Sequence, residues 1–147
     1  MGLLVFILLL AGIDIGIKNQ IDAAAGEDFP KASPIKRMKI YKRRNKGFPF
    51  GILENHPEAV KILPAAVTGF LAGSLFAGGK KKKGTRIALV LLIAGGLSNV
   101  FDRMKRGYVV DYLHLDFSPI KKIIFNLADM YIFVGAVIYA VLGKERS

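Results

Sequence analysis

The sequence contains no cysteine and no tryptophan, and only two of its 147 residues are histidine. Without cysteine the chain has no disulfide framework, no thiolate zinc or iron–sulfur site and no cysteine nucleophile. Two isolated histidines also argue against a histidine-built metal site, so we expect no metal and no cofactor. Acidic residues are scarce as well, with 11 Asp and Glu against 22 Lys and Arg. Any catalytic chemistry must therefore use carboxylates or hydroxyls.

The composition is typical of a membrane protein. Hydrophobic residues make up 52% of the chain and the mean hydropathy is +0.39, which is high for a soluble domain of this length. A net charge of +11 would ordinarily suggest a nucleic-acid partner, but here the basic residues lie between long apolar blocks. This placement favours lipid headgroups as the partner, and we expect no nucleic-acid binding.

Four apolar stretches are candidates for helices that cross a bilayer, which needs roughly 17–25 residues. We place these helices at about residues 2–18, 60–79, 87–105 and 123–143. The sequence has no internal repeat and no low-complexity linker. It therefore predicts an all-α membrane protein with four transmembrane helices, forming a single integral membrane domain over residues 1–147. For the first stretch a cleaved signal peptide is the alternative, although the stretch lacks a basic start.

The loop between the first two spans, residues 19–58, is too long for a structureless connection, so we expect it to be folded. Its middle, residues 35–44, mixes apolar and basic side chains, which fits a short amphipathic strand pair lying on a membrane surface. A hairpin turn at residues 45–47 would follow. A solvated run of charge is the alternative.

Charge counting leaves the orientation in the membrane open. Most Lys and Arg residues lie in the first loop and in the loop after the third span, which share one face, and the positive-inside rule would place that face in the cytoplasm. The connector Lys80–Arg86 on the other face has five basic residues out of seven. Because the rule concerns short loops near span ends, this dense connector is the stronger retention signal.

Aspartates near span ends are the candidate chemical groups. A charged side chain at the bilayer centre costs about 2.5–3.5 kcal/mol on insertion scales, so such residues normally mark function. Two carboxylates within hydrogen-bonding distance share one proton, and one can then activate a water while the other acts as an acid. A reversal between antiparallel helices would bring Asp111 and Asp129 to one surface. Spacing alone favours the alternative, because a buried Asp bonded to Asn or Arg is more often structural.

Four blocks of the sequence resemble the signature blocks of lipoprotein signal peptidase (signal peptidase II), and they occur in the order found in that family. In this chain they read Asp14-Ile-Gly-Ile-Lys18, Asn45-Lys-Gly47-Phe-Pro-Phe50-Gly51, Asn99-Val-Phe-Asp102-Arg103-Met-Lys-Arg-Gly107-Tyr-Val109-Val110-Asp111-Tyr112 and Phe125-Asn126-Leu-Ala128-Asp129. Because they extend from residue 14 to residue 129, the resemblance covers essentially the whole chain.

The resemblance implies a membrane aspartic endopeptidase that removes signal peptides from diacylglyceryl-modified prolipoproteins and cuts before the lipidated cysteine. It implies that Asp111 and Asp129 are the catalytic pair and activate a water. It also implies supporting or substrate-binding roles for the other polar and small residues of the blocks: Asn45, Gly47, Asn99, Asp102, Arg103, Asn126 and Ala128.

The resemblance also implies a location and partners. The protein would be a multi-pass protein of the bacterial cytoplasmic membrane, with both termini in the cytoplasm and the active site near the extracytoplasmic face. The first loop would be a small extracytoplasmic β-like cradle between helices one and two, whose charge holds phospholipid headgroups. Prolipoproteins would be the substrates and globomycin-like compounds the inhibitors, and we expect a monomer.

Side-chain spacing suggests how some of these residues act. Asn126 precedes Asp129 by three residues, so its amide can orient that carboxylate. Gly47 lies at the predicted turn, where glycine permits a positive φ, and Asn45 beside it can reach the substrate backbone; a plain turn is the alternative. Asp14 and Lys18 lie one helical turn apart, which predicts an ion pair at the membrane surface with little catalytic consequence.

The chain departs from the family pattern at two places. Ser98 replaces a usual Gly, and Phe48-Pro49 replaces two usually small residues, which would alter the substrate range. A catalytically altered paralogue that acts as a lipid- or lipopeptide-binding module is therefore the alternative to the peptidase. A proton-coupled transporter ranks last, because the chain has too few spans and no discontinuous repeat.

Overall fold

The computed structural model describes residues 2–48, 52–77, 79–119 and 123–142. Within these ranges the chain forms four α-helices, which are α1 (Gly2–Ala23), α2 (Pro57–Phe76), α3 (Lys83–Arg106) and α4 (Leu127–Leu142). The same ranges contain a four-stranded antiparallel sheet of β1 (Lys31–Ala32), β2 (Met38–Asn45), β3 (Val109–Leu115) and β4 (Ile124–Phe125). A single 3₁₀ turn at Gly26–Asp28 connects α1 to the sheet.

Three of the helices in the described part of the chain, α1, α2 and α3, are long and apolar enough to cross a membrane. The fourth, α4, is apolar but has only 16 residues in the described part of the chain. The sequence predicts a fourth helix from residue 123, whereas α4 begins at Leu127. The difference arises because residues 124–125 pair with β3 as a strand before the helix begins.

The other helix boundaries also shift. The first helix extends past the predicted residue 18 to Ala23, and the third begins at Lys83 instead of residue 87. The second begins at Pro57 instead of residue 60 and ends at Phe76. Pro57 therefore occupies the first turn, where the missing N–H has no helical partner to lose, and Pro64 lies in the helix interior.

The sheet differs from the predicted strand pair. Residues 38–45 form one strand, β2, which lies between β1 and β3. The cradle predicted between helices one and two is thus only half of the sheet, since β3 and β4 come from the segment between α3 and α4. The physical reason is that a two-stranded hairpin is marginally stable alone, whereas β3, whose first four residues are buried, gives β2 a second partner.

Helix α3 is the centre of the bundle. In the most apolar 18-residue stretch of α3, half of the residues are buried, whereas the corresponding share is 22% in α1 and 11% in α2. Small residues allow α4 to approach it closely. A Cβ on Gly95 would overlap the carbonyl oxygen of Ala128, and a Cβ on Gly135 would lie 2.9 Å from the carbonyl oxygen of Ala88. The outer faces of α1, α2 and α4 instead expose large apolar side chains such as Phe70 and Phe133.

The connection from α3 to β3 sets the position of the sheet. Gly107 ends α3 in the left-handed conformation, with φ at 77°, and its N–H donates to the carbonyl of Arg103 at 3.1 Å. This conformation suits glycine because it carries no Cβ. The chain then turns directly into β3, which carries Asp111.

Polar contacts fasten the sheet to the end of α1. The carboxylate of Asp22 accepts hydrogen bonds from the hydroxyl of Tyr108 at 2.9 Å and from Nε of Arg44 at 3.1 Å. The ammonium of Lys42 donates to the carbonyls of Asp22 and Ala24 at 2.8 and 2.6 Å, which caps the helix. The strands are therefore held at one end of the bundle.

Candidate active site

Asp111 lies on β3 with only 3% of its surface exposed. In the sheet it faces Arg43 of β2, and Asn45 is two residues further along β2. Side chains two residues apart on a strand share one face, which lets Asn45 reach Asp111 diagonally. The amide of Asn45 donates to Oδ2 of Asp111 at 3.1 Å, and the amide of Asn126 donates to Oδ1 at 2.9 Å.

Asp129 is the third residue of α4, and Asn126 immediately precedes that helix. The backbone N–H of Asp129 donates to Oδ1 of Asn126 at 2.8 Å, and the N–H of Asn126 donates to Oδ2 of Asp129 at 3.2 Å. This reciprocal pair is a capping box. The other carboxylate oxygen of Asp129 accepts from the amide of Asn99 at 2.9 Å. The carboxylate thus sits at a helix N-terminus, where the helix dipole favours negative charge.

Asn126 connects the two aspartates. It is fully buried. Its side-chain NH₂ donates to the carboxylate of Asp111. Its backbone N–H donates to the carboxylate of Asp129, and its side-chain oxygen accepts from the N–H of Asp129. The sequence predicts only the contact with Asp129, three residues away. Because one residue contacts both carboxylates, Asp111 and Asp129 lie in one site although they are 18 positions apart in the chain.

The electrostatics of the site place Asp111 near its titration point at neutral pH. Burial, followed by the negative charge of Asp129, raises the pKa of Asp111 from 3.8 to about 7. Hydrogen bonds from Asn45 and Asn126 act in the opposite direction without overcoming these effects. A carboxyl group with this pKa can both accept and release a proton under physiological conditions.

Arg103 and Gly47 close the site on the side of the first loop. The guanidinium of Arg103 donates to the carbonyl of Gly47 at 3.4 Å and lies 5.1 Å from the ring centroid of Phe48. The N–H of Gly47 donates to Oδ1 of Asn45 at 3.1 Å, which turns the amide nitrogen of Asn45 toward Asp111.

Gly47 does not adopt the positive φ that glycine permits, since among the described glycines only Gly79 and Gly107 adopt one. Glycine is required at residue 47 for space, since a Cβ there would lie 2.8 Å from the carbonyl oxygen of Ile52. The hairpin turn predicted at residues 45–47 is wrong, because Asn45 ends β2 and residues 46–48 and 52–56 form no strand. The N–H of Phe48 donates to the carbonyl of Ile52 at 2.8 Å.

Asp102 and Ala128 support the site from behind. Asp102 is fully buried and accepts a hydrogen bond from the N–H of Val110 at 3.0 Å. Ala128 is fully buried where α4 contacts Gly95 of α3. Neither residue lines the cavity beside the aspartates, so they hold neighbouring residues in place instead of facing that space.

Sequence reasoning did not anticipate a buried network below the aspartates. Asp14 and Lys18 were expected at the membrane surface, but both are fully buried and form an ion pair at 2.7 Å. The hydroxyl of Tyr112 donates to Asp14 at 2.8 Å and accepts from the N–H of Leu127 at 3.2 Å. The available signal was the apolar helix itself, because charged residues inside such helices normally face the bundle interior and pair there.

Cavities open on two sides of Asp129. One of about 580 Å³ extends along β4 and α4, and another of about 320 Å³ extends along α2. Both reach Asn99, Arg103 and Asp129, and their remaining walls are mostly apolar. Phe48 lines the smaller cavity, whereas Pro49, the other unusual residue of that block, lies outside the described residues.

Known sequences match the chain over nearly its full length. Residues 6–143 match the family model for signal peptidase (SPase) II. A lipoprotein signal peptidase of Streptococcus thermophilus (strain CNRZ 1066) is 36% identical over 145 residues, covering 97% of this chain and 93% of that protein. A lipoprotein signal peptidase of Streptococcus agalactiae serotype V is 39% identical over 105 residues, covering 71% of this chain and 67% of that protein.

The fold matches solved structures as well. Two structures of a bacterial membrane enzyme, determined by the in meso method at 1.9 and 2.3 Å resolution, give TM-scores of 0.83 and 0.81. Their sequence identities are 22% and 23%, and the matches cover 99% of this chain and 94% and 93% of theirs. Because the family model matches residues 6–143, the chain belongs to the signal peptidase II family of membrane proteases.

Proposed function

We propose that this protein is an aspartic endopeptidase that removes signal peptides from diacylglyceryl-modified prolipoproteins, cutting before the lipidated cysteine. The observation that carries the proposal is the pair of carboxylates, Asp111 and Asp129, joined through the buried Asn126. The relatives that are named lipoprotein signal peptidases support the choice of substrate.

In this mechanism the two carboxyl groups share one proton. The ionised carboxylate takes a proton from a water molecule while the oxygen of that water attacks the scissile carbonyl carbon. The protonated carboxyl donates a hydrogen bond to the carbonyl oxygen, where negative charge develops. The C–N bond then breaks, and the leaving amine takes a proton from the pair, which returns the site to its starting protonation.

The neighbouring residues keep the pair in this geometry. Asn45 and Asn126 each donate to one oxygen of Asp111, and Asn99 donates to Asp129. These fixed amides restrict rotation of both carboxylates, which is the requirement for holding a water and a carbonyl in line. Arg103 lies between the two cavities and supplies a cation for polar groups of the substrate.

The cavities account for an apolar substrate. Their walls suit a signal segment on one side of Asp129 and acyl chains on the other, because burial of apolar surface favours both. Phe48 in the smaller cavity adjusts its shape and therefore the range of substrates. Globomycin-like inhibitors would bind at the same pair of aspartates.

We propose that all four helices cross the bacterial cytoplasmic membrane and that both termini lie in the cytoplasm. The sheet and the aspartates then lie near the extracytoplasmic face, and the basic connector Lys80–Arg86 lies on the cytoplasmic side. Although α4 is short, a bilayer can adjust locally to a short apolar helix. The exposed basic side chains of β2 would bind phospholipid headgroups, and the protein would act as a monomer.

The requirement for both aspartates tests the proposal. Purified protein in detergent is given a synthetic diacylglyceryl-lipopeptide, and cleavage is compared for the wild type, Asp111→Asn and Asp129→Asn. We expect each variant to lose cleavage by about 10²–10⁴-fold, as removal of a general acid or base does. Thermal melting in the same detergent verifies that each variant is folded.

Asp116→Asn provides the matched control. Asp116 is exposed at the end of β3 and is held through its backbone N–H, which donates to the carbonyl of Arg37 at 2.8 Å. This variant should cleave at the wild-type rate. Wild-type turnover in folded Asp111→Asn or Asp129→Asn would refute the proposed mechanism. A wild type that binds the lipopeptide without cleaving it would instead favour a lipopeptide-binding module.

A further inference from the structure

Lys18 is a buried cation that the proposed mechanism does not use. Its ammonium group is fully buried in α1 and has four oxygen neighbours among the described residues. These are Oδ2 of Asp14 at 2.7 Å, Oδ1 of Asn99 at 2.8 Å, Oγ of Ser98 at 3.1 Å and Oδ2 of Asp102 at 3.6 Å. An ammonium group has three protons to donate, and the three shorter contacts account for them.

The contact with Asn99 leads to Asp129. An asparagine side chain carries one acceptor oxygen and one donor NH₂ group, and either can face a given neighbour. With Oδ1 of Asn99 accepting from Lys18, the NH₂ group is the end that faces Asp129, and it donates to Oδ1 at 2.9 Å. The opposite orientation would set oxygen against carboxylate and NH₂ against ammonium. Lys18 thus determines which end of Asn99 meets Asp129.

The contact with Asp102 leads to Asp111. The oxygen of Asp102 that lies 3.6 Å from Lys18 also accepts a hydrogen bond from the N–H of Val110 at 3.0 Å. Val110 is fully buried and immediately precedes Asp111 on β3. The backbone of the strand is therefore anchored one residue before the carboxylate.

A contribution to stability is a poor explanation for the burial of the ion pair between Asp14 and Lys18. Moving two charges out of water has a desolvation cost that can exceed their mutual attraction, and apolar replacement of a buried pair is often neutral or stabilising. The surroundings nevertheless keep the pair fully bonded, since Oγ of Ser98 donates to Asp14 at 2.5 Å and the hydroxyl of Tyr112 donates to its other oxygen at 2.8 Å. Two members of the network lead to the aspartates: Asn99 donates to Asp129, and Asp102 accepts from the N–H of Val110, which precedes Asp111.

We propose that Lys18 is a positioning residue for both halves of the pair, holding Asp129 through Asn99 and Asp111 through Asp102 and Val110. The inference rests on the proposed function, in which these aspartates are catalytic. It assigns α1 a part in the reaction, although α1 contributes no group to the cavity beside them.

Substitution of Lys18 by Met removes the charge and the donors while keeping an unbranched side chain. We expect kcat for the lipopeptide to fall by about 10- to 100-fold, as small displacements of catalytic groups do, with KM within about threefold because the cavity walls are unchanged. The pH–rate profile should also move to higher pH. A nearby positive charge favours ionised carboxylates, so its loss leaves the pair harder to ionise.

Several charged and titratable groups share this network, and together with Lys18 they influence the pH–rate profile. Asp14 on α1, Asp102 and Arg106 on α3 and Tyr112 on β3 surround Lys18 or its partners. Lys42→Met is the matched control, because it also removes a lysine charge, whereas the ammonium of Lys42 donates to the carbonyls at the end of α1. This control should melt at a lower temperature and keep the wild-type pH–rate profile.

A double variant protects the test against misfolding. Asp14→Asn with Lys18→Met removes both members of the buried ion pair, so no unpaired Asp14 charge remains. It should show the same loss of kcat but a smaller shift of the pH–rate profile, because the opposing charge of Asp14 is lost as well. A wild-type kcat in either folded variant, or an unshifted pH–rate profile in folded Lys18→Met, would overturn this inference and leave the proposed function standing. Failure of the wild type to cleave the lipopeptide would overturn the proposed function and, with it, this inference.

Discussion

At the scale of residues, the site is built from two carboxylates and three amides. Each of Asn45, Asn99 and Asn126 donates its NH₂ group to an aspartate, and each has its oxygen engaged elsewhere, by Gly47 N–H, by Lys18 or by Asp129 N–H. An amide whose oxygen is already engaged has one orientation available. The carboxylates are therefore held without neutralising the negative charge that the proposed chemistry uses.

The pKa of Asp111 predicts the pH dependence of the reaction. The proposed pair works with one shared proton, and Asp111 titrates at about 7 because of burial and the charge of Asp129. As the pH rises through this value the shared proton is lost, so the rate should fall about tenfold for each further pH unit. Initial rates of lipopeptide cleavage between pH 5 and pH 9 measure this.

Enzyme held at pH 9 and then assayed at pH 6 gives the control for irreversible loss and should recover its full rate. A rate that stays constant from pH 6 to pH 9 would contradict the assignment of the proton to this pair.

The sequence motifs identified the residues of the site but not the burial and contacts of the residues around them. The motifs indicated Asp111, Asp129 and the asparagines, and the structure brings them together. The burial of Lys18 was missed because a spacing of four residues is the same for an ion pair on a surface or inside a bundle. The hydroxyl of Tyr112 was missed because its partner, Asp14, is distant in sequence.

At the scale of elements, the contact between α3 and α4 sets the position of Asp129. Gly95 lies against the carbonyl of Ala128, one residue before Asp129, and Gly135 lies against α3 further along. Helix positions were predictable from apolar runs, with boundaries shifted by a few residues. The sheet was not predictable, because β2 pairs with β3 across about 70 residues of sequence. An amphipathic pattern indicates a strand but does not show which strand pairs with it.

Gly95→Ala should destabilise the protein and reduce its activity. The added Cβ would overlap the carbonyl of Ala128 and lie 2.7 Å from Ile132, so the two helices must separate. We expect a loss of about 1–3 kcal/mol in unfolding free energy, the usual range for overpacking, together with slower lipopeptide cleavage because Asp129 moves with Ala128. Unfolding in detergent and initial rates measure both effects.

Gly73→Ala on α2 is the matched control, since a Cβ at Gly73 meets no atom within 4 Å. It should be as stable as the wild type or slightly more stable, because alanine favours helix over glycine. Equal stability and activity of the two variants would show that the close contact does not control the site.

At the scale of the whole molecule, the polar and apolar parts are separated along the bundle. The outer helix faces expose large apolar side chains, whereas β2 exposes basic ones and lies beside the aspartates. The buried network joins α1, α3, α4 and β3, so the site depends on elements from both halves of the sequence. This arrangement fits a substrate that reaches the aspartates from the membrane with its apolar parts in the flanking cavities.

Cleavage of a diacylglyceryl-lipopeptide and of its unlipidated twin by the wild-type protein, with mass spectrometry of the products, decides whether the lipid directs the reaction. We expect one cut, immediately before the lipidated cysteine, with slow or absent cleavage of the unlipidated peptide. Equal cleavage of both peptides, or a cut elsewhere, would contradict the proposed function.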